Sequence, residues 1–508
     1  MTMPPRIDTV EESERKYTVG HGQQLPDLSG LPGVDAHPEP ELQQLSARYY
    51  DTDDLRLLRA GITLRRREGG HDAGWHTKLP AGTDTRTEVR FPLGDDTDRP
   101  PAELLALLRG VRRARPVTLA AALNTQRWRH RLIDEEGRVL AEVVVDDVSA
   151  TREEGSEPQQ WREIEVELAS GGTELLDAVE ERLTEAGITR APSPSKLHRA
   201  LADLLPAEEQ VPGPAGHLRD YLRGELRTLE LAEIGVRRDA PDSVHSMRKA
   251  LRRIRSALQT YAGTFAIDDG LVEELRWTGR KLSPSRDLEV QWERLVGRIA
   301  EVPVEAQREA IRARVDEHFS ARSDAARLEA VAALDSDRYA ALLEALDTLI
   351  DGLAAGTVGS GAGREARQVR PKDLDRALAR LAKKVSRRVR HAGEAATHAE
   401  RDEIVHRARK GAKRMRYAIE VLRPLHRKRA ERALDHFDDF QDLLGEFQDS
   451  VVAREHLLEM VSEQEHTAES SFGLGIVYQR ELEVGEEQVA HLERAWKRAR
   501  RASKPLWR

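Results

Sequence analysis

The sequence predicts a multidomain protein, β first and then all-α. Three observations carry this. Between Thr9 and Leu168, eight short segments alternate polar and apolar residues and are parted by turn signals. From His217 onward, Leu and Ala recur at three- and four-residue spacing among many Arg and Glu. Between these regions, residues 205–216 are rich in Pro, Gly and charge, as a linker would be. The expected division is 1–204, a linker over 205–216, and a helical domain over 217–500.

A chain of 508 residues exceeds one ordinary core. Charged residues make up 33% and aromatics 4%, which suits helix-rich structure with many surface ion pairs. Without a run of about 18 apolar residues, no membrane span is expected. The start of the chain lacks the apolar core of a secretory signal. The absence of cysteine excludes disulfide and thiol chemistry and fits a cytoplasmic location. The net charge of −8 argues against bulk nucleic-acid affinity, but it hides strong local segregation of charge.

The expected strands are 10–19, 46–52, 62–67, 74–79, 86–91, 126–133, 139–146 and 161–168. Eight is an even number that can close into an antiparallel barrel and leave no edge. Gly69-Gly70 and Glu136-Gly137 read as hairpin turns, and 20–45 as a loop. Alternate residues of a strand share a face, so Glu12, Glu14 and Lys16 lie together. So do Arg65 and Arg67; Arg86, Glu88 and Arg90; Arg127, Arg129 and Arg131; Glu142, Val144 and Asp146; and Glu163, Glu165 and Glu167. The opposite parity carries Leu64, Val89, Phe91, Val143, Val145, Ile164, Val166 and Leu168. Two arrangements satisfy this pattern. Either the apolar face is the core and the charges meet solvent, or the charges line a closed tunnel and helices cover the apolar outside. Helices are available at 101–109, 172–187 and 195–205. Periodicity does not choose between the two.

The charged set suits a site that holds metal ions and phosphate. Phosphate groups need several cations, and the planar fork of Arg pairs two phosphate oxygens. Lys16, Arg65, Arg67, Lys78, Arg86, Arg127 and Arg129 are the candidates. A metal ion accompanying phosphate is a hard divalent cation held by oxygens. Glu12 and Glu14, roughly 6.6 Å apart along a strand, could hold neighbouring ions. Glu163 and Glu165 could face them, and Glu88 and Asp146 are further candidate ligands. Arg66 and Glu167 read as surface charges, and His76 as a packing or hydrogen-bonding residue. No cysteine or histidine cluster suggests zinc.

Nearly all of 7–200 resembles the CYTH domain of the triphosphate tunnel metalloenzymes. The matching pieces are Glu12-x-Glu14-x-Lys16, then Tyr49-Tyr50-Asp51-Thr52 with Asp54-Leu55, and Gly61 through Arg67. Next come Trp75 through Lys78, Arg86-Thr87-Glu88, Arg127 with Arg129, Glu142 through Asp146, Glu163-Ile164-Glu165, and Ser195-Lys196. The resemblance implies an eight-stranded tunnel with covering helices that binds triphosphate with Mg2+ or Mn2+. Glu12, Glu14 and Lys16 are then the expected catalytic set, and Lys196 joins the substrate-binding cations.

The helical region holds an internal repeat. His245 is followed by cations at Arg248, Lys249, Arg252, Arg253 and Arg255, and His406 at the same spacing by Arg409, Lys410, Lys413, Arg414 and Arg416. On a helix, positions 0, +3, +7 and +10 fall within about 80° of one another. His245, Arg248, Arg252 and Arg255 thus form one stripe, and His406, Arg409, Lys413 and Arg416 another. Neither 245–256 nor 406–417 contains an acid, and a third basic helix includes Lys384 and Arg388. Further matches follow each copy, Leu282 through Asp287 and Leu444 through Asp449. A solvated face with i,i+4 ion pairs would need acidic partners, which these stripes lack. The expected ligand is a polyanion. Nucleic acid is disfavoured, because no aromatics interleave for base stacking.

Residues 217–495 resemble the CHAD domain, whose marks are these two His/Arg/Lys helices and the two Asp-ended segments. The resemblance implies two four-helix units related by pseudo-symmetry and a basic surface that binds inorganic polyphosphate. Gly445 matches the pattern, while Ser283-Pro284-Ser285 departs from it and puts the local turn in doubt. Residues 352–364 read as a flexible connection and 497–508 as a disordered basic tail. The expected function is metal-dependent hydrolysis of inorganic triphosphate, with polyphosphate as a second partner and its granules as a further location. The alternatives are a class IV adenylate cyclase or organic triphosphatase, and a non-enzymatic polyphosphate-binding protein.

Overall fold

Period-two alternation becomes eight long strands: β1 (Asp8–Thr18), β2 (Glu41–Asp51), β3 (Thr63–Glu68), β4 (Gly74–Pro80), β5 (Thr85–Phe91), β6 (Thr118–Ile133), β7 (Val139–Thr151) and β8 (Gln159–Leu168). The computed structural model describes residues 8–506, apart from 21, 37, 71, 95–98, 153–154, 208–209, 266, 355–368 and 463–467. The chain forms two compact units, Met1–Glu208 and Glu209–Arg508. In the first, every strand pairing is antiparallel, in the order β5-β4-β3-β2-β6-β7-β8-β1, and β1 pairs again with β5. The sheet is therefore a closed barrel. A two-residue strand, β9 (Thr189–Arg190), adds to β1. Part of the expected loop over 20–45 is strand, because β2 already pairs with β6 from Glu41.

Among the described residues, five α-helices belong to this unit: α1 (Arg56–Arg59), α2 (Ala102–Leu107), α3 (Arg109–Arg112), α4 (Thr173–Glu185) and α5 (Lys196–Ala200). They decide which face is outside. Val143, Val145, Ile164 and Val166 pack in one cluster with Leu175, Leu176, Val179 and Leu183 of α4. The apolar parity is thus the covered exterior, and the charged parity is the interior. Toward one end the inward rows themselves turn apolar. Tyr49, Ala121, Leu123, Val148 and Ala150 pack with Leu197 and Leu201, so the helix that carries Lys196 sits on an apolar plug.

Asp51, one of the motif residues, has a structural job. Its carboxylate is 1% exposed and accepts from the backbone N–H groups of Thr52 (2.7 Å), Leu57 (2.9 Å) and Leu58 (2.8 Å). It thereby satisfies the open N-terminal amides of α1. Asp51→Ala is expected to destabilise the barrel by on the order of 2–4 kcal/mol, because three buried donors lose their acceptor. Urea unfolding measures this. A change below about 0.5 kcal/mol would mean that water replaces the carboxylate.

The second unit is helical: α6 (Gly213–Arg237), α7 (Ser243–Phe265), α8 (Asp269–Ile299), α9 (Glu305–Leu334), α10 (Asp337–Ala354), α11 (Pro371–Gly393), α12 (His398–Leu422), α13 (Arg427–Ser462) and α14 (Ala468–Ser503). Consecutive helices pack in two runs, α6 to α9 and α11 to α14, with α10 as an addition to the first. Corresponding helices α7 and α12 carry the two repeats and pack against each other. Tyr261 donates to the Ala418 carbonyl across that contact at 2.8 Å. On α7, Met247, Ala250, Leu251, Ile254, Leu258 and Tyr261 supply the apolar stripe at three- and four-residue spacing.

At Ser283-Pro284-Ser285, where departure from the family pattern put the turn in doubt, α8 runs unbroken. Two expectations change here. Helix α6 starts at Gly213, inside the expected linker, and Glu208 and Glu209 lie outside the described residues. The tail is ordered as helix to Ser503 and a 3-10 turn to Leu506, which is 1% exposed and anchors it to the core. Most of the expected connection over 352–364 lies outside the described residues. Among those residues, no helix is long and apolar enough to cross a membrane.

Candidate functional site

Register places the charged residues opposite one another. Pairing of β1 with β8 sets Lys16 beside Glu165 and Glu14 beside Glu167. Pairing of β6 with β7 sets Arg127 beside Asp146, and β3 with β4 sets Arg65 beside His76. The inward side chains enclose a cavity of about 80 Å3. Glu14, Lys16, Arg65, Arg67, Lys78, Arg86, Arg127, Glu165 and Lys196 all line it.

The tunnel neutralises itself. Lys16 Nζ lies 2.9 Å from Glu14 and also bonds Glu165. Lys78 reaches Glu12 at 2.5 Å and Glu14 at 3.6 Å. Arg127 holds Asp146 with two bonds of 2.8 and 2.7 Å and Glu165 at 3.0 Å. Lys196 contacts Asp146 at 2.9 Å and both Glu163 and Glu165 at 2.8 Å. It is aimed there by Ser195, whose hydroxyl caps α5 by accepting from the His198 N–H. Burial pushes the Glu14 carboxyl up, but Lys16 and Lys78 outweigh it and hold the group at about 2. Burial opposes ionisation of Glu165 too, and Lys16, Lys196 and Arg127 keep it well below its ordinary value.

The remaining candidates are paired as well. Arg65 is 3.3 Å from Glu88, which also takes Arg90 at 2.6 Å and His76 at 3.1 Å. His76 is thus a buried polar partner, as expected. Arg67 pairs with Asp72 at 2.8 Å, and its burial with Arg65 nearby lowers it to about 10. Arg129 shares the inward parity, but it does not line the cavity. Its Nε donates to Glu142 at 2.8 Å, and Glu41 lies at 3.6 Å. Two readings as surface charge are corrected. Arg66 is buried and bonded to Glu68. Glu167 faces inward, where burial, resisted by Lys78 and aided by Glu12 and Glu14, pushes it up to about 7. Its parity with Glu163 and Glu165 was the available signal. Asp72 had none, because it lies in the β3–β4 turn and reaches Arg67 only through the fold.

The donor set fits a hard divalent cation. Glu12, Glu14, Glu163, Glu165 and Asp146 offer only carboxylate oxygens, with no sulfur among them, as Mg2+ or Mn2+ requires.

In the helical unit, the inner cations of the two stripes converge. Burial, with Arg252 and Arg409 adjacent, lowers Lys413 to about 6. Arg409 is likewise lowered by burial, with Arg252 and Arg248 working against Asp449 and Asp287. Arg255 falls to about 10 through burial and its neighbours Arg252, Arg276 and Arg414. Arg388 adds to this side by donating to the Arg407 carbonyl at 2.8 Å, close to Arg414. The face is not free of acids, since Arg248 pairs with Asp287 at 2.9 Å. Two expected members leave it. Arg253 turns to Glu225 (3.0 Å) and Glu420 (3.3 Å), and Arg416 bonds Asp438 at 2.6 Å. Glu225 and Asp438 come from other helices, which the acid-free segments could not reveal, and Arg416 also bonds Glu420 one turn on along α12. His406 bonds Gln448, while His245, Lys249, Lys384 and Lys410 are exposed on their helices.

The CYTH domain family model matches residues 11–201 and the CHAD domain family model residues 220–458. An uncharacterized protein of Mycobacterium tuberculosis (strain CDC 1551 / Oshkosh) is 35% identical over 518 residues, covering 98% of both chains. The counterpart in strain ATCC 25618 / H37Rv matches with the same identity and coverage. Among solved structures, PptA from Streptomyces chartreusis is 18% identical with a TM-score of 0.44, covering 56% of this chain and 99% of its own. The CHAD domain from the plant Ricinus communis is 23% identical with a TM-score of 0.44, covering 57% of this chain and 94% of its own.

Proposed function

This chain belongs to the family in which a CYTH domain precedes a CHAD domain, and from that premise we propose that its tunnel hydrolyses inorganic triphosphate while its helical unit binds inorganic polyphosphate. One observation carries the first half: Lys16, Lys78, Arg65, Arg67, Arg127 and Lys196 converge on one cavity that also holds Glu14 and Glu165. A triphosphate bears about four or five negative charges near neutral pH, and competes with these carboxylates for the cations. The carboxylates it frees are already ionised. Glu12 and Glu14, with Glu163 and Glu165, would hold Mg2+ or Mn2+, which supplies charge neutralisation on the phosphate and a polarised water. The chain's own part is positioning: forked arginines fix the phosphate oxygens, and Lys196 closes the plugged end.

The test is phosphate release from triphosphate, ATP and long-chain polyphosphate, with and without Mg2+ or Mn2+. Metal-dependent turnover of triphosphate above ATP is expected. Cyclic nucleotide formed from ATP would make the chain a cyclase, and no turnover of any substrate would leave a binding protein. Residues 1–208 alone are expected to retain the hydrolysis, since every tunnel residue named lies within them.

For the helical unit, the carrying observation is Lys413. Its folded value of about 6 lies below the ordinary 10.5, so folding expels a proton between those pH values. The sign follows: this residue's contribution to stability rises with pH through that window and is lowest below about 6. Burial is the largest cause and persists, but a polyanion removes the part due to Arg252 and Arg409 by neutralising them. Polyphosphate binding should therefore take up a proton at pH 7 and be tighter at pH 6 than at pH 8. Calorimetry in buffers of different ionisation heat measures the uptake. No uptake would remove Lys413 from the binding face.

A further inference from the structure

Away from the tunnel and the basic face, the described residues hold one group of histidine and carboxylate atoms close enough to share an ion: His318, His456 and Glu459. The sequence hides it, because His318 on α9 and His456 on α13 are 138 residues apart. His456 and Glu459 are three residues apart on one helix and so share a face. His318 Nε2 lies 3.1 Å from His456 Nδ1 and 3.8 Å from Glu459 Oε2, and the latter two atoms are 3.5 Å apart. Around a tetrahedral zinc with bonds of about 2.1 Å, ligand atoms stand about 3.4 Å from one another. The three edges straddle that value.

We propose that His318 Nε2, His456 Nδ1 and Glu459 Oε2 form a three-ligand site for Zn2+, with the fourth position open to solvent. The surroundings are those of a built site. The His318 side chain is fully buried, that of His456 is 16% exposed and that of Glu459 is 59% exposed, which gives a graded path from solvent to the deepest ligand. Phe319 holds both rings in place, with centroids 4.9 Å from His318 and 5.0 Å from His456. Two imidazoles and one carboxylate favour zinc over the Mg2+ or Mn2+ suited to the all-oxygen tunnel. The site is independent of the activity proposed there, and an ion in it ties α9 to α13.

One neighbour competes with the metal. Arg322 donates to His318 Nδ1 at 2.9 Å and to the His318 carbonyl at 2.7 Å. With Nδ1 accepting, the ring proton sits on Nε2 and points at His456 Nδ1. Metal binding moves that proton from Nε2 to Nδ1 with no net release, and Arg322 withdraws from Nδ1 while keeping the carbonyl. The guanidinium is thus a built-in opponent of the ion.

The experiment titrates the chelator-treated full chain with Co2+ and follows visible absorption. Tetrahedral Co2+ on nitrogen ligands absorbs strongly, and octahedral Co2+ on tunnel oxygens only weakly. One equivalent with the strong band, displaced by Zn2+, is expected. His456→Gln should abolish the band, and Glu459→Gln should weaken affinity by about tenfold or more. Both positions are at least partly exposed, so helix content by circular dichroism should hold, and triphosphate turnover should not change. Arg322→Gln should bind more tightly. No strong band in the wild-type chain, a band that survives His456→Gln, or weaker binding in Arg322→Gln overturns the site.

Discussion

Glu14→Gln is expected to lower triphosphate hydrolysis by about a hundredfold or more while leaving the barrel folded. Glutamine keeps the volume and removes the charge. Glu14 lies between two ammonium groups, 2.9 Å from Lys16 and 3.6 Å from Lys78, and these hold it ionised down to about pH 2. Such a group is poised to exchange a lysine for a divalent cation. Its loss removes a metal ligand and also leaves Lys16 with Glu165 alone. The measurement is kcat at saturating Mn2+ beside a thermal melt of the same variant. A normal kcat with a normal melt would reduce Glu14 to a counter-ion of Lys16.

Reversing Arg252 and Lys413 together to Glu is expected to abolish polyphosphate binding and to leave triphosphate hydrolysis intact. Both lie where the two repeats meet, and burial together with Arg252 and Arg409 suppresses the Lys413 charge. A concentration of like charge weakens the fold through self-repulsion unless an anion neutralises it, so the double reversal should preserve or raise stability. That separates lost binding from lost structure. In the wild-type chain, long phosphate chains should bind more tightly than short ones, and affinity should fall steeply with salt through counterion release. Binding indifferent to salt and to the double substitution would leave this face merely solvated.

Much of the architecture was legible because its causes are local. Alternation marked eight strands, and the matched spacing after His245 and His406 marked the duplicated helices. Both follow from backbone periods that neighbouring residues satisfy among themselves. The candidate site was legible in its parity: Glu12, Glu14 and Lys16 share the inward face with Arg65, Arg127 and Glu165. Arg253 and Arg416 appeared unpartnered because Glu225 and Asp438 approach from other helices, and because Glu420, one turn beyond Arg416 on α12, lies just past the acid-free window. At Ser283-Pro284-Ser285 the departure from the family pattern put the local turn in doubt, and α8 runs through it although Pro284 removes one helical bond.

The sequence by itself determined which side chains of each strand stand together, since pleating admits only two faces. It could not say which face is inside. An alternating strand is satisfied equally by a solvated charged face over an apolar core and by a charged tunnel inside an apolar coat. Closure of β1 onto β5, and the seating of Leu175, Leu176, Val179 and Leu183 against Val143, Val145, Ile164 and Val166, decided it. Once α4 supplied that cover, the apolar rows could leave water only outward. The charges, turned inward, had to find one another inside the barrel, and Lys78 of β4 reaching Glu12 and Glu14 of β1 is a contact that closure of β1 onto β5 brings about.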